Sequence, residues 1–202
     1  MQLDLNFNKD KFQLNTIKKI DSRLLSDMKD HYSKPKGFVG RTICYQITYD
    51  DVCYGHIVGG SATRFLPNRK QYLNTNPLKI LNNIVNNIFF HVTKQNNNYP
   101  IRNFTTYILK VFEKKIVSDW YKKYGDKVIA LETLVELPRT GECYKRTGWE
   151  VIGVTKGYQC RRTGGYSDKE KFGGVRIWET NNLKPKLAFM KTIKEEYNYA
   201  TT

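Results

Sequence analysis

The spacing of apolar residues predicts the first elements of the chain. Residues 3–7 alternate between apolar and polar, which is typical of a short strand. From about Thr16 to about Asp30, apolar residues recur at steps of three and four and predict an amphipathic helix. The breakers Pro35 and Gly37 follow, so the helix has to end before them.

A hairpin and a basic loop come next. Segment 41–49 is rich in Thr, Ile and Tyr, and it pairs across an Asp-Asp turn with segment 52–58. The polar loop that follows contains Arg64, Arg69 and Lys70.

The remaining chain continues the alternation of helices and strands. Asn76-Pro77 is a typical helix start, and the apolar spacing predicts a helix from there to Ile88. A second long helix is predicted from Arg102 to about Gly125. The other predicted elements are strands at 88–92, 128–135, 151–154 and 175–178, a short helix at 142–147, a mobile loop at 157–174 and a Lys-rich helical tail at 183–202. This order predicts one mixed α/β domain over residues 1–202, with a central twisted sheet flanked by helices.

The charge of the chain points to a partner. There are 34 Lys and Arg residues against 19 Asp and Glu, which gives a formal net charge of +15. A field of this sign attracts polyanions, so we predict a nucleic-acid partner, DNA in the first place. The candidates for phosphate contacts are Lys156, Arg161, Arg162, Lys169, Lys171 and Arg176, interleaved with Tyr158, Tyr166 and Phe172. The alternative is a solvated loop in a lysine-rich protein.

Two further patterns concern location and metals. No apolar run is long enough for a membrane span and the first residues lack a signal-peptide pattern, so we expect a cytoplasmic protein without membrane contact. The four cysteines, none in a CxxC or zinc-site spacing, are expected to be reduced. The three histidines are far apart in sequence, so the fold would have to assemble any metal site, for which His31 is the only candidate.

Three residues are candidates for chemistry from their type and place. His31 follows the first predicted helix, and its near-neutral pKa suits proton transfer; the alternative is a surface histidine at a helix end. Tyr32 can hydrogen-bond or stack on a base, or simply pack in the core. Glu136 ends a predicted strand, where a carboxylate can deprotonate an amine. Glu132 alternates onto the same face, which either lines a cleft or is solvated.

The element order resembles that of the GNAT acetyltransferase superfamily. Within it, His31-Tyr32-Ser33 followed by a Pro-x-Gly turn resembles the His-Tyr-Ser segment of the phage Mom proteins. These are GNAT-like enzymes that hypermodify adenine in DNA and shield it from restriction. Other stretches resemble the Druantia-associated domain of the DruA type, from prokaryotic defence proteins. They are residues 84–90, 101–104, 131–136, 141–144 with Trp149, and 151–157. That family usually has Asp-Pro where this chain has Glu136-Leu137.

The resemblance implies a transferase that moves a small acyl- or glycine-derived group to an amine of a DNA base, protecting phage DNA from restriction in the cytoplasm of the host. It implies that Tyr144 is a general acid near a thiol leaving group. The glycine-containing loop by which acetyltransferases grip the diphosphate of coenzyme A is absent, and the start of the long helix at Arg102 and Asn103 is the candidate for holding a donor's anion. An acyl-CoA-type donor and a metal ion both stay open as cofactors.

Two alternatives to that function remain at this point. One is a non-catalytic nucleic-acid-binding module of an anti-phage defence system. The other is an ordinary acetyl-CoA-dependent N-acetyltransferase that acts on a basic protein or a small amine.

Overall fold

The computed structural model describes residues 7–157, 159–162, 176–179 and 183–193. The strands are β1 (Phe12–Ile17), β2 (Thr42–Tyr49), β3 (Val52–Ser61), β4 (Ile84–Val92), β5 (Ala130–Glu136), β6 (Glu150–Val154), β7 (Gln159–Arg162), β8 (Arg176–Glu179) and β9 (Lys186–Thr192). The α-helices are α1 (Ser22–Asp30), α2 (Arg69–Leu73), α3 (Phe104–Tyr124) and α4 (Glu142–Arg146). None of the described helices combines the length and the apolarity that a bilayer span needs.

Seven strands form one sheet in the order β1-β2-β3-β4-β5-β9-β6, while β7 and β8 pair separately. Helix α3 covers one face of the sheet, and α1 covers part of the other. The apolar side of α3 buries Ile108, Phe112, Ile116 and Trp120 completely or nearly so. Burial of this kind contributes about 25 cal/mol for each Å² of apolar surface and holds the layers together.

The junction of β4 and β5 positions the site described below. These two strands run parallel and pair only over Ile84–Asn86 and Ala130–Glu132. Beyond that point they diverge, while β9 continues to pair along the whole of β5. A bulge at Ile88 shifts the register between β3 and β4 and bends β4 away. The result is a wedge-shaped opening in the middle of the sheet.

The first predicted helix begins later than expected. Residues up to Ile17 pair with β2 as strand β1, and α1 starts only at Ser22. The side chain of Asp21 caps this helix by accepting a hydrogen bond of 2.7 Å from the Leu24 N–H. The predicted strand at 3–7 lies outside the described residues except for Phe7.

The predicted helix from Asn76 to Ile88 is wrong. The structure has two short 3-10 turns, Pro77–Lys79 and Leu81–Asn83, and then β4. The apolar spacing was misleading because Val85 and Ile88 belong to a strand with apolar packing on both faces, where no strict alternation is required.

The predicted helical character of the tail is also wrong where the structure describes it. Residues 186–192 form β9, which lies between β5 and β6 and buries Ala188, Phe189 and Met190. Tertiary pairing here overrides the local preference of a Lys-rich segment.

Two smaller corrections concern basic segments. Residues 159–162 of the predicted loop form β7, and Arg69 lies in α2, almost completely buried.

Candidate active site

The diverging strands enclose a cavity of about 560 Å³. Its walls come from the end of α1, the C-terminal halves of β4 and β5, and the start of α4. Three of the four predicted catalytic residues, His31, Tyr32 and Tyr144, line it. Other lining residues with polar or aromatic side chains are Asp30, Asn87, Phe89, Phe90, His91, Thr105, Thr133, Arg139, Thr140, Glu142 and Cys143.

Tyr144 lies at the buried end of this cavity. Helix α4 follows Gly141, whose positive φ of +66° and tight contact with the Phe189 ring leave no room for a side chain. The Tyr144 hydroxyl donates a hydrogen bond of 2.6 Å to Asn87 Oδ1. Burial raises the pKa of Tyr144 well above its usual value of 10. At neutral pH the hydroxyl therefore keeps its proton.

Asn87 is held in one orientation by its other contacts. Its amide Nδ2 donates to the Val58 carbonyl at 3.1 Å and to the Phe89 carbonyl at 3.0 Å. The Thr133 hydroxyl donates to the backbone carbonyl of Asn87 at 2.8 Å and bridges the two diverging strands. This network fixes the oxygen that accepts the hydrogen bond from the Tyr144 hydroxyl.

His31 is buried, so it is not the surface histidine at a helix end that the sequence offered as the alternative. The Ser33 N–H donates to its Nδ1 at 3.2 Å, so the neutral ring carries its hydrogen at Nε2. Burial lowers its pKa to about 4, helped by the nearby charges of His91, Arg139 and Lys186, while a hydrogen bond to the Phe90 backbone opposes the shift. The ring is neutral at physiological pH and connects α1 to the open edge of β4.

Tyr32 connects the cavity to the end of β5. The guanidinium of Arg139 lies 4.0 Å from the centre of its ring, a cation–π contact. Burial raises the pKa of Tyr32, and a hydrogen bond with the Glu136 backbone opposes this effect.

Glu136, the fourth predicted catalytic residue, opens on a second cavity of about 720 Å³ rather than on the first. Leu134 lines both cavities, so they adjoin across β5. The Glu136 carboxylate lies 3.8 Å from the ammonium groups of both Lys184 and Lys186. Its side chain is mostly buried.

Glu132 has a different environment from its neighbour on the same strand face. It is fully buried and forms an ion pair of 2.6 Å with Arg69. It also accepts hydrogen bonds from the backbone and hydroxyl of Thr63, at 2.7 and 2.9 Å. Glu132 therefore stabilises the fold, in contrast to Glu136 on the same face of β5, which lines a cavity.

The start of α3 is the predicted place for a donor's anion. Asn103 precedes the helix in the left-handed conformation (φ +61°), which is the conformation that a glycine would otherwise supply. Its side chain accepts a hydrogen bond of 2.6 Å from Arg146, and Arg102 beside it is exposed. Thr105, in the first helical turn, lines the first cavity.

The predicted phosphate contacts are only partly described. Lys156 is exposed and lines the second cavity. Arg161 and Arg162 lie on β7, and the backbone of Arg162 is opposite that of Arg176 in the β7–β8 pair. Lys169, Lys171, Tyr166, Phe172 and Tyr158 lie outside the described residues.

In the described part of the chain, no three His, Cys, Asp or Glu side chains are grouped so that they could hold a metal ion. Cys44, Cys53 and Cys143 are free thiols. Burial raises the pKa of Cys143 to about 11, so this cavity-lining thiol is protonated at neutral pH.

Sequence reasoning missed Asn87, Thr133 and Arg139 as parts of the site. Asn87 had a visible signal, because a polar pair at 86–87 interrupts an otherwise apolar segment. Thr133 and Arg139 had none, since only the divergence of β4 and β5 gives them a role.

Comparisons with known proteins bear on the fold. No protein-family model and no curated protein sequence matches the chain, so neither links it to the Mom or Druantia proteins. Among solved structures, it is similar to a GNAT family acetyltransferase from Elizabethkingia anophelis with acetyl-CoA bound. The TM-score is 0.53 and the identity 12%, over 92% of this chain and 100% of that one. An IAA acetyltransferase from Bacillus cereus ATCC 14579 gives a TM-score of 0.50 and 13% identity, over 90% and 99% of the two chains. The predicted α/β fold class is thereby confirmed, and this chain has the fold of the GNAT acetyltransferases.

Proposed function

We propose that the protein is an acyltransferase that moves an acyl group from a thioester donor to an amine. The observation that carries this proposal is the wedge between β4 and β5 with a protonated tyrosine at its buried end. The hydrogen bond to Asn87 fixes the position of the Tyr144 hydroxyl, and burial keeps it protonated. A thiolate leaving group needs a proton donor, and the cavity has the volume for a thioester and its neighbouring atoms.

The residues present fit an acyl-CoA donor. Asn103 adopts the left-handed conformation without a glycine, so the chain still turns sharply into α3. Helix α3 is 21 residues long, and the N–H groups of its first turn attract anions. Arg102, Asn103 and Thr105 would hold the phosphates. When bound, acyl-CoA supplies an activated carbonyl carbon that an amine can attack.

The roles of the protein groups follow from the atoms that change partners. A bond forms between the amine nitrogen and the acyl carbon while the carbon–sulfur bond breaks. Tyr144 gives its proton to the departing sulfur. Glu136 lines the adjoining second cavity, so it takes the proton that the nitrogen loses when the amine enters from that side. His31 and Tyr32 position the two strand ends between which the reaction takes place, through their hydrogen bonds to the Phe90 and Glu136 backbones.

The acceptor we propose is an amine of a DNA base, with protection of phage DNA from restriction as the biological outcome. Its support is the net charge of +15 and the resemblance of His31-Tyr32-Ser33 to the Mom proteins. A base inside a duplex has to be flipped out to reach a buried site.

The experiment incubates the purified chain with acetyl-CoA and either single-stranded DNA, a basic peptide or a small polyamine. Release of free thiol reports transfer, and mass spectrometry of the digested products identifies the acceptor. We expect thiol release with DNA and a nucleoside that is heavier by one acyl group.

The other outcomes decide between the alternatives. Transfer to the peptide or polyamine alone would contradict the DNA acceptor and establish an ordinary N-acetyltransferase. Tight DNA binding without thiol release from acetyl-CoA in the presence of any acceptor would contradict acyl transfer from acetyl-CoA and favour a binding module.

A further inference from the structure

An exposed aromatic ring stands at the rim of the second cavity. Phe65, in the loop between β3 and α2, leaves 79% of its surface exposed to solvent. The guanidinium of Arg64 lies 5.5 Å from the centre of the ring, which keeps a positive charge on this surface. Single exposed apolar residues are common, so the ring alone would mean little. Two further features give the ring a meaning: the loop that carries it is held in place, and the cavity beside it is positively charged.

The loop that carries Phe65 is fixed at both ends. At its start, Thr63 binds the buried Glu132 through its N–H and hydroxyl, and Arg69 donates to the Thr63 carbonyl at 2.7 Å. At its other end, the Asn68 side chain donates to the Ile152 carbonyl at 2.6 Å. A buried ion pair is costly to desolvate, yet here it serves to hold this loop. The ring is therefore presented in a defined position.

The same cavity carries a concentration of positive charge. Its walls include Lys156, Lys184 and Lys186, and among the lining residues that the structure describes Glu136 is the single acid. Three lysines against one glutamate leave an excess of two positive charges. The lysine-bearing segment is fixed as well, because the Thr155 N–H donates to the Lys186 carbonyl at 2.9 Å and the Thr155 hydroxyl accepts from the Lys186 N–H at 3.1 Å.

We propose that this surface binds an unpaired nucleotide of a DNA strand, with the base stacked on Phe65 and the flanking phosphates on Lys184 and Lys186. A flat apolar ring beside fixed cations matches the two chemical parts of a nucleotide, its base and its phosphate. The proposal rests on the proposed function in one respect: the second cavity would be where the acceptor, a DNA base, binds. The second cavity adjoins the first at Leu134, so a base bound there lies on the Glu136 side of the proposed reaction.

The test measures binding without any donor, so it does not depend on acyl transfer. Fluorescence anisotropy follows a labelled single-stranded DNA of about 12 nucleotides, and an abasic strand of the same length serves as the second probe. The variants are Phe65→Ala and Phe65→Trp. The matched control is Val52→Ala, which removes an exposed apolar side chain at the opposite end of β3.

We expect Phe65→Ala to weaken binding of the normal strand roughly tenfold and to leave binding of the abasic strand unchanged. Phe65→Trp keeps the affinity of the unchanged protein, as does Val52→Ala. Equal affinity of Phe65→Ala and the unchanged protein for the normal strand would overturn the proposal. So would an equal loss for both strands, because the ring would then not act through a base. If DNA binding depends on Phe65 but no acceptor leads to thiol release from acetyl-CoA, the nucleotide-binding proposal is supported and the acyltransferase proposal fails.

Discussion

The Tyr144 hydroxyl is the single group on which the proposed acid step depends. In Tyr144→Phe we expect the turnover number to fall by about 100-fold with little change in KM, because general acid catalysis contributes at this scale. The substitution also leaves Asn87 Oδ1 without its donor, which costs about 1–3 kcal/mol in the free energy of unfolding. Steady-state thiol release and urea unfolding measure the two effects.

A matched variant separates the acid step from the loss of a tyrosine hydroxyl in general. The hydroxyl of Tyr72 donates to Glu150 at 3.0 Å, away from the first cavity. Tyr72→Phe should therefore keep the turnover number. An unchanged turnover number in Tyr144→Phe would remove Tyr144 from the mechanism.

His31 gives the protein a pH-dependent stability. Burial lowers its pKa from 6.5 to about 4, so on acidification the unfolded chain takes up a proton before the folded protein does. Its stabilising contribution is complete above the unfolded pKa and is lost as the pH falls towards the folded one. Between about pH 7.5 and about pH 5, we expect the unchanged protein to lose about 2 kcal/mol more unfolding free energy than His31→Gln. Urea unfolding at the two pH values tests this, and parallel losses in both proteins would contradict it.

At the scale of elements, the spacing of apolar residues correctly predicted those helices and strands that interactions between neighbouring residues determine. The long α3 was predicted because its apolar stripe, which ends at Gly125, is readable over several turns. Strand β9 was not, because Lys186 and Lys191 mark its sequence as polar, while its place between β5 and β6 is decided by partners distant in sequence. Strand β4 was also missed, because its apolar residues point to both faces of the sheet and their spacing matches that of a helix.

The candidate site was predictable to the extent that a motif carried it. His31, Tyr32 and Tyr144 came from short motifs and line one cavity. Glu136 was also identified, but the face of β5 on which it lies directs it to the neighbouring cavity. The Phe65 surface had no sequence signal, because its meaning depends on the loop contacts of Glu132 and on Lys184 and Lys186, which are more than a hundred residues away.

The loop between β3 and α2 depends on the ion pair of Arg69 and Glu132, which is almost fully buried. Arg69→Met leaves the glutamate charge buried without its partner, so we expect a loss of about 3–5 kcal/mol in the free energy of unfolding. Replacing both residues, as Arg69→Met with Glu132→Gln, should recover part of it. Chemical denaturation measures both, with Lys115→Gln at a partly exposed ion pair as the control expected to change little. A double variant less stable than Arg69→Met would contradict this account.

At the scale of the whole molecule, the net charge of +15 can act in two ways that are separable. A general field attracts DNA to every surface, whereas local contacts release counterions at particular phosphates. Lys184 precedes β9 near one edge of the sheet, and Lys9 precedes β1 at the opposite edge. Lys184→Gln and Lys9→Gln remove the same charge, so a general field predicts the same effect for both.

We expect the two variants to differ in salt dependence. For single-stranded DNA, each phosphate contact contributes about 0.7 to the slope of log affinity against log salt concentration. Lys184→Gln should therefore make the slope shallower by about 0.7, while Lys9→Gln should leave it unchanged. Anisotropy titrations between about 50 and about 200 mM salt are sufficient to resolve this difference. Equal slopes in the two variants would mean that the charge of the protein acts only as a field, and the lysines of the second cavity would lose their proposed role as phosphate contacts.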